Sequence, residues 1–142
     1  GSIPESIGNI ETLKFIALGD NFLTGTIPSF HQADFYIFDV AENMLTGTIP
    51  EEITQWTSLV DIYLYGNGLS GTIPEGISEL TRLEWVDLEV NYLNGTIPSK
   101  VLELPRLEEL WLSHNLLTGT IPRHVSIESP LYLLFLNDNQ LT

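Results

Sequence analysis

Carboxylates and aromatic rings alternate through the middle of this chain, as "DIYLY" at 61–65, "EWVDLE" at 84–89 and "EELWLSH" at 108–114. Side by side, these two kinds of group suit a Lys or Arg side chain. The cation donates charge-assisted hydrogen bonds to a carboxylate while its stem and charge rest on a ring face. The candidate ligand-binding residues are therefore Asp61, Tyr63, Tyr65, Trp85, Asp87, Glu89, Glu109, Trp111 and His114.

Other chemistries find less support. Paired carboxylates perform glycoside hydrolysis at separations of roughly 5–5.5 or 6.5–9.5 Å. That chemistry needs one carboxyl with a raised pKa, and an open, solvated strand face offers no pocket to raise it. No catalytic residue is assigned, and the chain is read as non-enzymatic. Acids grouped this way could hold Ca²⁺, but no loop carries a dedicated ligand spacing. His31, His114 and His124 are scattered, with no His-Glu-x-x-His pattern, and cysteine is absent. No metal and no cofactor is expected. One N-glycosylation sequon, Asn94-Gly95-Thr96, marks Asn94 as a candidate modification site.

The charge balance narrows the partner. Nineteen Asp and Glu against five Lys and Arg give a net charge of −14 over 142 residues. Nucleic acid is excluded as a natural partner, because phosphate binding needs a basic footprint. No apolar run reaches about 18 residues, so this segment is not expected to insert into a membrane. Cationic peptides or basic protein patches fit the field.

What positions the acids and rings is a repeat. Glycines at 1, 25, 47, 71, 95 and 119, with asparagines at 21, 43, 67, 91, 115 and 139, divide the chain into units 1–24, 25–46, 47–70, 71–94, 95–118 and 119–142. Fixed-period self-similarity of this length predicts a solenoid. In "GTIPEGISELTRLEWVDLEVNYLN", Ile73, Ile77, Leu80 and Leu83 recur every three or four residues, which predicts a short helical or 3₁₀ segment facing inward. Val86 and Leu88 then alternate with Trp85, Asp87 and Glu89, the period of a strand. A single unit cannot bury its apolar face, whereas a stack buries a continuous core. Each Asn amide can satisfy turn carbonyls left unpaired by the bend. Trp56 falls on an inward slot and is assigned to that core.

Two units depart from the pattern. The second is two residues short just after its Pro, so its outer turn must be tighter. The sixth places Glu128 on an apolar slot and Pro130 before its strand, which predicts a local irregularity.

The pattern LxxLxLxxNxLxGxIP, as in "LEWVDLEVNYLNGTIP" and "LEELWLSHNLLTGTIP", resembles the plant-type leucine-rich repeat over essentially the whole chain. The resemblance implies an α/β solenoid. Its form is a curved right-handed leucine-rich-repeat array with a concave parallel β-sheet, convex short helical or 3₁₀ segments, and a second short strand at Leu-x-Gly-x-Ile-Pro. It also implies an extracellular or cell-surface location, as the ectodomain of a receptor-like or inhibitor-like protein. The chain opens on "GSIP" and ends on "NQLT", both inside the motif and without the family's Cys-containing caps, so it reads as a segment of a longer array.

In that frame the residues between the strand leucines form the concave face. They include ten acids, namely Asp20, Asp39, Glu42, Asp61, Glu84, Asp87, Glu89, Glu108, Glu109 and Asp138, against Lys14 alone. Strands about 4.8 Å apart make six span roughly 24 Å, the length of about seven extended residues. The leading expectation is a peptide or protein recognition module for a basic partner. An inhibitor of a secreted hydrolase would use the same face. A third expectation comes from the Thr-Gly-Thr segments, which would stack into hydroxyl and methyl ladders resembling ice-binding surfaces.

Overall fold

The structure, a computed structural model, describes residues 1–31, 33–125 and 127–142. Three-residue strands carry the inner face: β1 (Phe15–Ala17), β3 (Ile37–Asp39), β5 (Asp61–Tyr63), β7 (Trp85–Asp87), β9 (Glu109–Trp111) and β11 (Leu133–Phe135). They form one parallel sheet in chain order. Between them lie β2 (Thr24–Gly25), β4 (Met44–Thr48), β6 (Gly68–Thr72) and β8 (Tyr92–Asn94), a second parallel sheet. A Thr96–Thr118 bridge continues this sheet toward β10 (Thr118–Gly119) and β12 (Gln140–Leu141).

Each "IP" starts the outer turn. The carbonyls of Pro4, Pro50 and Pro74 accept from Ile7, Ile53 and Ile77 N–H at 3.0–3.1 Å. These bonds open 3₁₀ helices at Glu5–Asn9, Glu51–Gln55 and Glu75–Glu79; a shorter one covers Val101–Glu103. Proline fixes φ and has no N–H to leave unpaired at that corner. Ile53 and Ile77 are buried, as the apolar spacing requires.

The short second unit has no helix among its described residues and is filled with rings instead. Phe30, Phe35 and Phe38 meet Trp56 of the next unit at centroid distances of 5.0–6.1 Å. All four are buried. Gly8 makes room for them, since a Cβ there would stand 2.6 Å from the Phe30 ring. The sixth unit also lacks a helix among its described residues, and Val125, Ile127 and Leu134 are exposed. Ser126, within the predicted irregularity, lies outside the described residues.

The asparagines tie each unit to the one before. Asn115 Nδ2 donates to the carbonyls of Leu88, Leu112 and Ser113 at 2.9–3.3 Å, and its Oδ1 accepts Leu93 N–H at 2.9 Å. Asn43, Asn67, Asn91 and Asn139 repeat this set. Asn21 reaches only Leu18 and Gly19 carbonyls of its own unit. The residue before each Asn has positive φ: Asp20, Glu42, Gly66, Val90, His114 and Asp138.

Candidate functional site

On the inner sheet the middle residue of each strand from β1 to β9 is buried in the core and its two neighbours point out, whereas Leu134 of β11 is left exposed. Ile62, Val86 and Leu110 are buried in this way. The register is direct from strand to strand, so outward residues line up in columns. One column reads Phe15, Ile37, Asp61, Trp85, Glu109, Leu133; the other reads Ala17, Asp39, Tyr63, Asp87, Trp111, Phe135.

Where these columns meet Tyr65, the face sinks into a hollow of about 420 Å³ lined by Asp39, Tyr63, Tyr65, Trp85, Asp87 and Trp111. Five of the nine candidate residues are brought together here, and Asp39 joins them. Asp39 lies one strand before Tyr63 in the same column, in the second unit, outside the aromatic-rich third to fifth units that hold the other residues of the hollow. The Tyr63 and Trp85 rings meet at 6.0 Å.

Four candidates lie elsewhere. Asp61 is half-buried beside the hollow, and its carboxyl is held above the usual range by burial and by the charge of Glu84. Glu89 contributes its backbone N–H to Asp87 Oδ1 at 3.1 Å. His114 sits on the rim at positive φ, with Nδ1 3.4 Å from Asp138 Oδ2. Glu109 is only 3% exposed. Its Oε2 accepts the Trp111 indole N–H at 2.8 Å, and its Oε1 accepts the Tyr132 hydroxyl. Trp111 lies flat on Phe135, with ring centroids 4.3 Å apart and planes 20° apart. Both Glu109 oxygens are thus committed to orienting the aromatic wall rather than offered to a ligand.

The electrostatics correct one expectation. The open sheet does raise a carboxyl pKa: Asp87 is pushed up to about 6, by burial first and then by the charges of Glu89 and Glu109, against the lowering effect of the Glu89 N–H bond. The large flanking side chains exclude the water that a bare strand face would admit. Burial first, and then the charges of Asp61, Asp39, Glu109 and Asp87, raise the Tyr63 hydroxyl to about 12. Asp39, Asp61 and Asp87 have no ion-pair partner among the described residues, where Lys14 pairs with Asp34 and Arg106 with Glu84. No group of three or more potential metal ligands occurs among the described residues.

The lateral sheet departs from the expected ladders. Its register is shifted by two residues, so Thr48 opposes Ser70, Thr72 opposes Asn94 and Thr96 opposes Thr118. Equivalent positions of neighbouring units therefore lie about 8 Å apart rather than about 4.8 Å. The side chains also serve the stack. A Cβ on Gly47, Gly71 or Gly95 would stand 2.8 Å from the methyl of Thr26, Thr48 or Thr72, so each methyl covers the glycine of the next unit. Thr46, Ser70 and Thr118 donate their hydroxyls to the carbonyls of Gly25, Gly47 and Gly95 at 3.2–3.4 Å. Asn94 is exposed at the end of β8.

The Leucine Rich Repeat family model matches residues 58–80 and 106–126. No curated protein sequence matches the chain. Among solved structures, the chain is similar to the Arabidopsis receptor kinase HAESA in complex with the peptide hormone IDA and the co-receptor SERK1, at 35% identity and TM-score 0.94. That match covers 99% of this chain but only 24% of the other. A plant ice-binding protein matches at 30% identity and TM-score 0.89, over 99% of this chain and 46% of that one. The BIR3–SERK2 complex of Arabidopsis thaliana matches at 33% identity and TM-score 0.77, over 91% of this chain and 69% of that one. With its stacked parallel sheets, 3₁₀ outer turns and asparagine ladder, the chain belongs to the leucine-rich repeat family in its plant-type form.

Proposed function

We propose that the chain is a non-catalytic recognition module of an extracellular, receptor-like protein, and that its concave hollow receives Lys or Arg side chains of a peptide or protein partner. The observation that carries this reading is the hollow itself: the Tyr63, Trp85 and Trp111 rings around Asp39 and Asp87, two carboxylates with no ion-pair partner among the described residues. Exposed rings grouped on one face are the usual anchors of an interface. The likeness to HAESA, solved with a peptide hormone, supports a peptide partner. The basic character of that partner rests on charge complementarity.

Calorimetric titration with an Arg-rich nonapeptide tests the proposal. Affinity should fall steeply as salt rises, because the attraction is screened. The double variant Trp85→Ala/Trp111→Ala should bind at least tenfold more weakly. Wild-type affinity in that variant would remove the hollow from consideration.

A second reading, ice binding through the lateral Thr-Gly-Thr positions, has the likeness to the plant ice-binding protein in its favour. The two-residue shift in register opposes it, as does the packing of the Thr methyls on the glycines of the next unit. Normal ice recrystallisation in micromolar protein would dispose of it. If the parent protein is secreted, exposed Asn94 is its N-glycan site; a mass shift abolished in Asn94→Gln checks this.

A further inference from the structure

The outward column through the hollow alternates with a period of two strands: Asp39, Tyr63, Asp87, Trp111. The two carboxylates are held alike. Asp39 Oδ1 accepts Ala41 N–H at 3.0 Å, and Asp87 Oδ1 accepts Glu89 N–H at 3.1 Å, each from the residue two positions on. Neither Oδ2 has a partner among the described residues, and both side chains line the hollow. Two strand spacings separate them, about 9.6 Å.

That interval discriminates between ligand conformations. A β-extended peptide returns a side chain to the same face every two residues, about 6.7 Å, and misses the second carboxylate by about 3 Å. An α-helix returns every 5.4 Å or so and approaches the interval only at seven residues, about 10.5 Å, with a body 10–12 Å wide. Polyproline II advances about 9.3 Å in three residues, within about 0.3 Å of the carboxylate interval. Its backbone makes no internal hydrogen bonds and stays solvated. That suits a sheet face, which offers side chains and no free strand edge. The Tyr63 ring lies midway, where residues i+1 and i+2 straddle it, and aromatic-lined grooves are what such a helix docks against.

We infer that the hollow reads a polyproline II segment carrying two basic side chains three residues apart, one on Asp39 and one on Asp87. This rests on the reading of the site as a receptor for basic peptides, and specifies its register.

The test uses synthetic proline-rich peptides with two arginines at spacings of two, three, four or seven, and a one-arginine control, titrated at about 50 mM salt. The spacing of three should bind at least fivefold tighter than the others. Asp39→Asn and Asp87→Asn should each erase that preference while leaving salt-sensitive binding of all the peptides. Equal affinity at every spacing would overturn the register and leave the basic-peptide reading standing. An optimum at two or seven would overturn it in favour of a strand or a helix. Failure of every peptide to bind would remove both.

Discussion

Asp87→Asn takes a charge off the concave face while keeping the acceptor that Glu89 N–H uses. The carboxyl rises from 3.8 to about 6, with burial as the leading cause. The folded state therefore binds this proton more tightly than the unfolded chain does. Below about pH 3.8 the group is neutral in both states and its contribution is fully present. As pH climbs from there through about 6, stability is lost, and above that the cost is complete. At about 1.36 kcal/mol for each pH unit the ceiling is about 3 kcal/mol. Solvent over the open face screens part of this, leaving about 1–2 kcal/mol. Urea unfolding of both proteins should show the variant more stable by that amount at pH 7.5 and equal to wild type at pH 3.5. A variant less stable at pH 7.5, or a difference that does not change with pH, would refute the account of Asp87 as a desolvated charge. The same variant should bind an Arg-rich peptide more weakly. Greater stability with weaker binding marks a residue kept for a ligand rather than for the fold.

Asn115→Ala strips three carbonyls and the Leu93 N–H of their partner and should cost about 3 kcal/mol in denaturant titration. Asn21→Ala, which touches only its own unit, should cost under about 1 kcal/mol. Gly71→Ala combines φ of +78° with a Cβ 2.8 Å from the Thr48 methyl, and should cost roughly 2–3 kcal/mol. Adding Thr48→Ser removes that methyl, so the double variant should recover more than about 0.5 kcal/mol relative to additivity. Val90, β-branched, 52% exposed and at φ of +53°, should yield about 1 kcal/mol of added stability when replaced by Asn, read as a higher denaturation midpoint.

The repeat makes most of the architecture readable from the sequence. Spacing alone separated core from surface, because in a stacked array a residue's slot fixes its direction; Trp56 in the core and Trp85 on the face follow from that rule. The asparagine ladder followed from amide valence. What spacing could not supply was interaction between outward side chains of different units. Glu109 and Asp61 occupy the same column in the same register, and nothing in their own positions distinguishes them. Glu109 is buried because Trp111 turns its N–H back along the strand and Tyr132 reaches across from the next one. The lateral register was invisible for a related reason. A period of 24 residues is compatible with strands paired directly or shifted by two, and the choice is made by the positive-φ glycines and the Thr methyls packed on them.

That choice also fixes which surface is left for recognition. In the lateral sheet the recurring side chains are engaged with the next unit: a methyl on a glycine, a hydroxyl on a carbonyl. A position so engaged resists change, since each substitution disturbs two units at once. The inner strands have the reverse arrangement. Their core contacts end at the middle residue, and the two flanking residues vary freely from Phe15 to Glu109 in one column and from Ala17 to Phe135 in the other. Those free positions place two carboxylates without an ion-pair partner among the described residues two strands apart, with rings between; each holds one backbone N–H, and Asp87 carries a burial cost that this bond only partly offsets. The burial cost at Asp87 and the two-strand interval between the carboxylates are what the proposed basic ligand would offset and match.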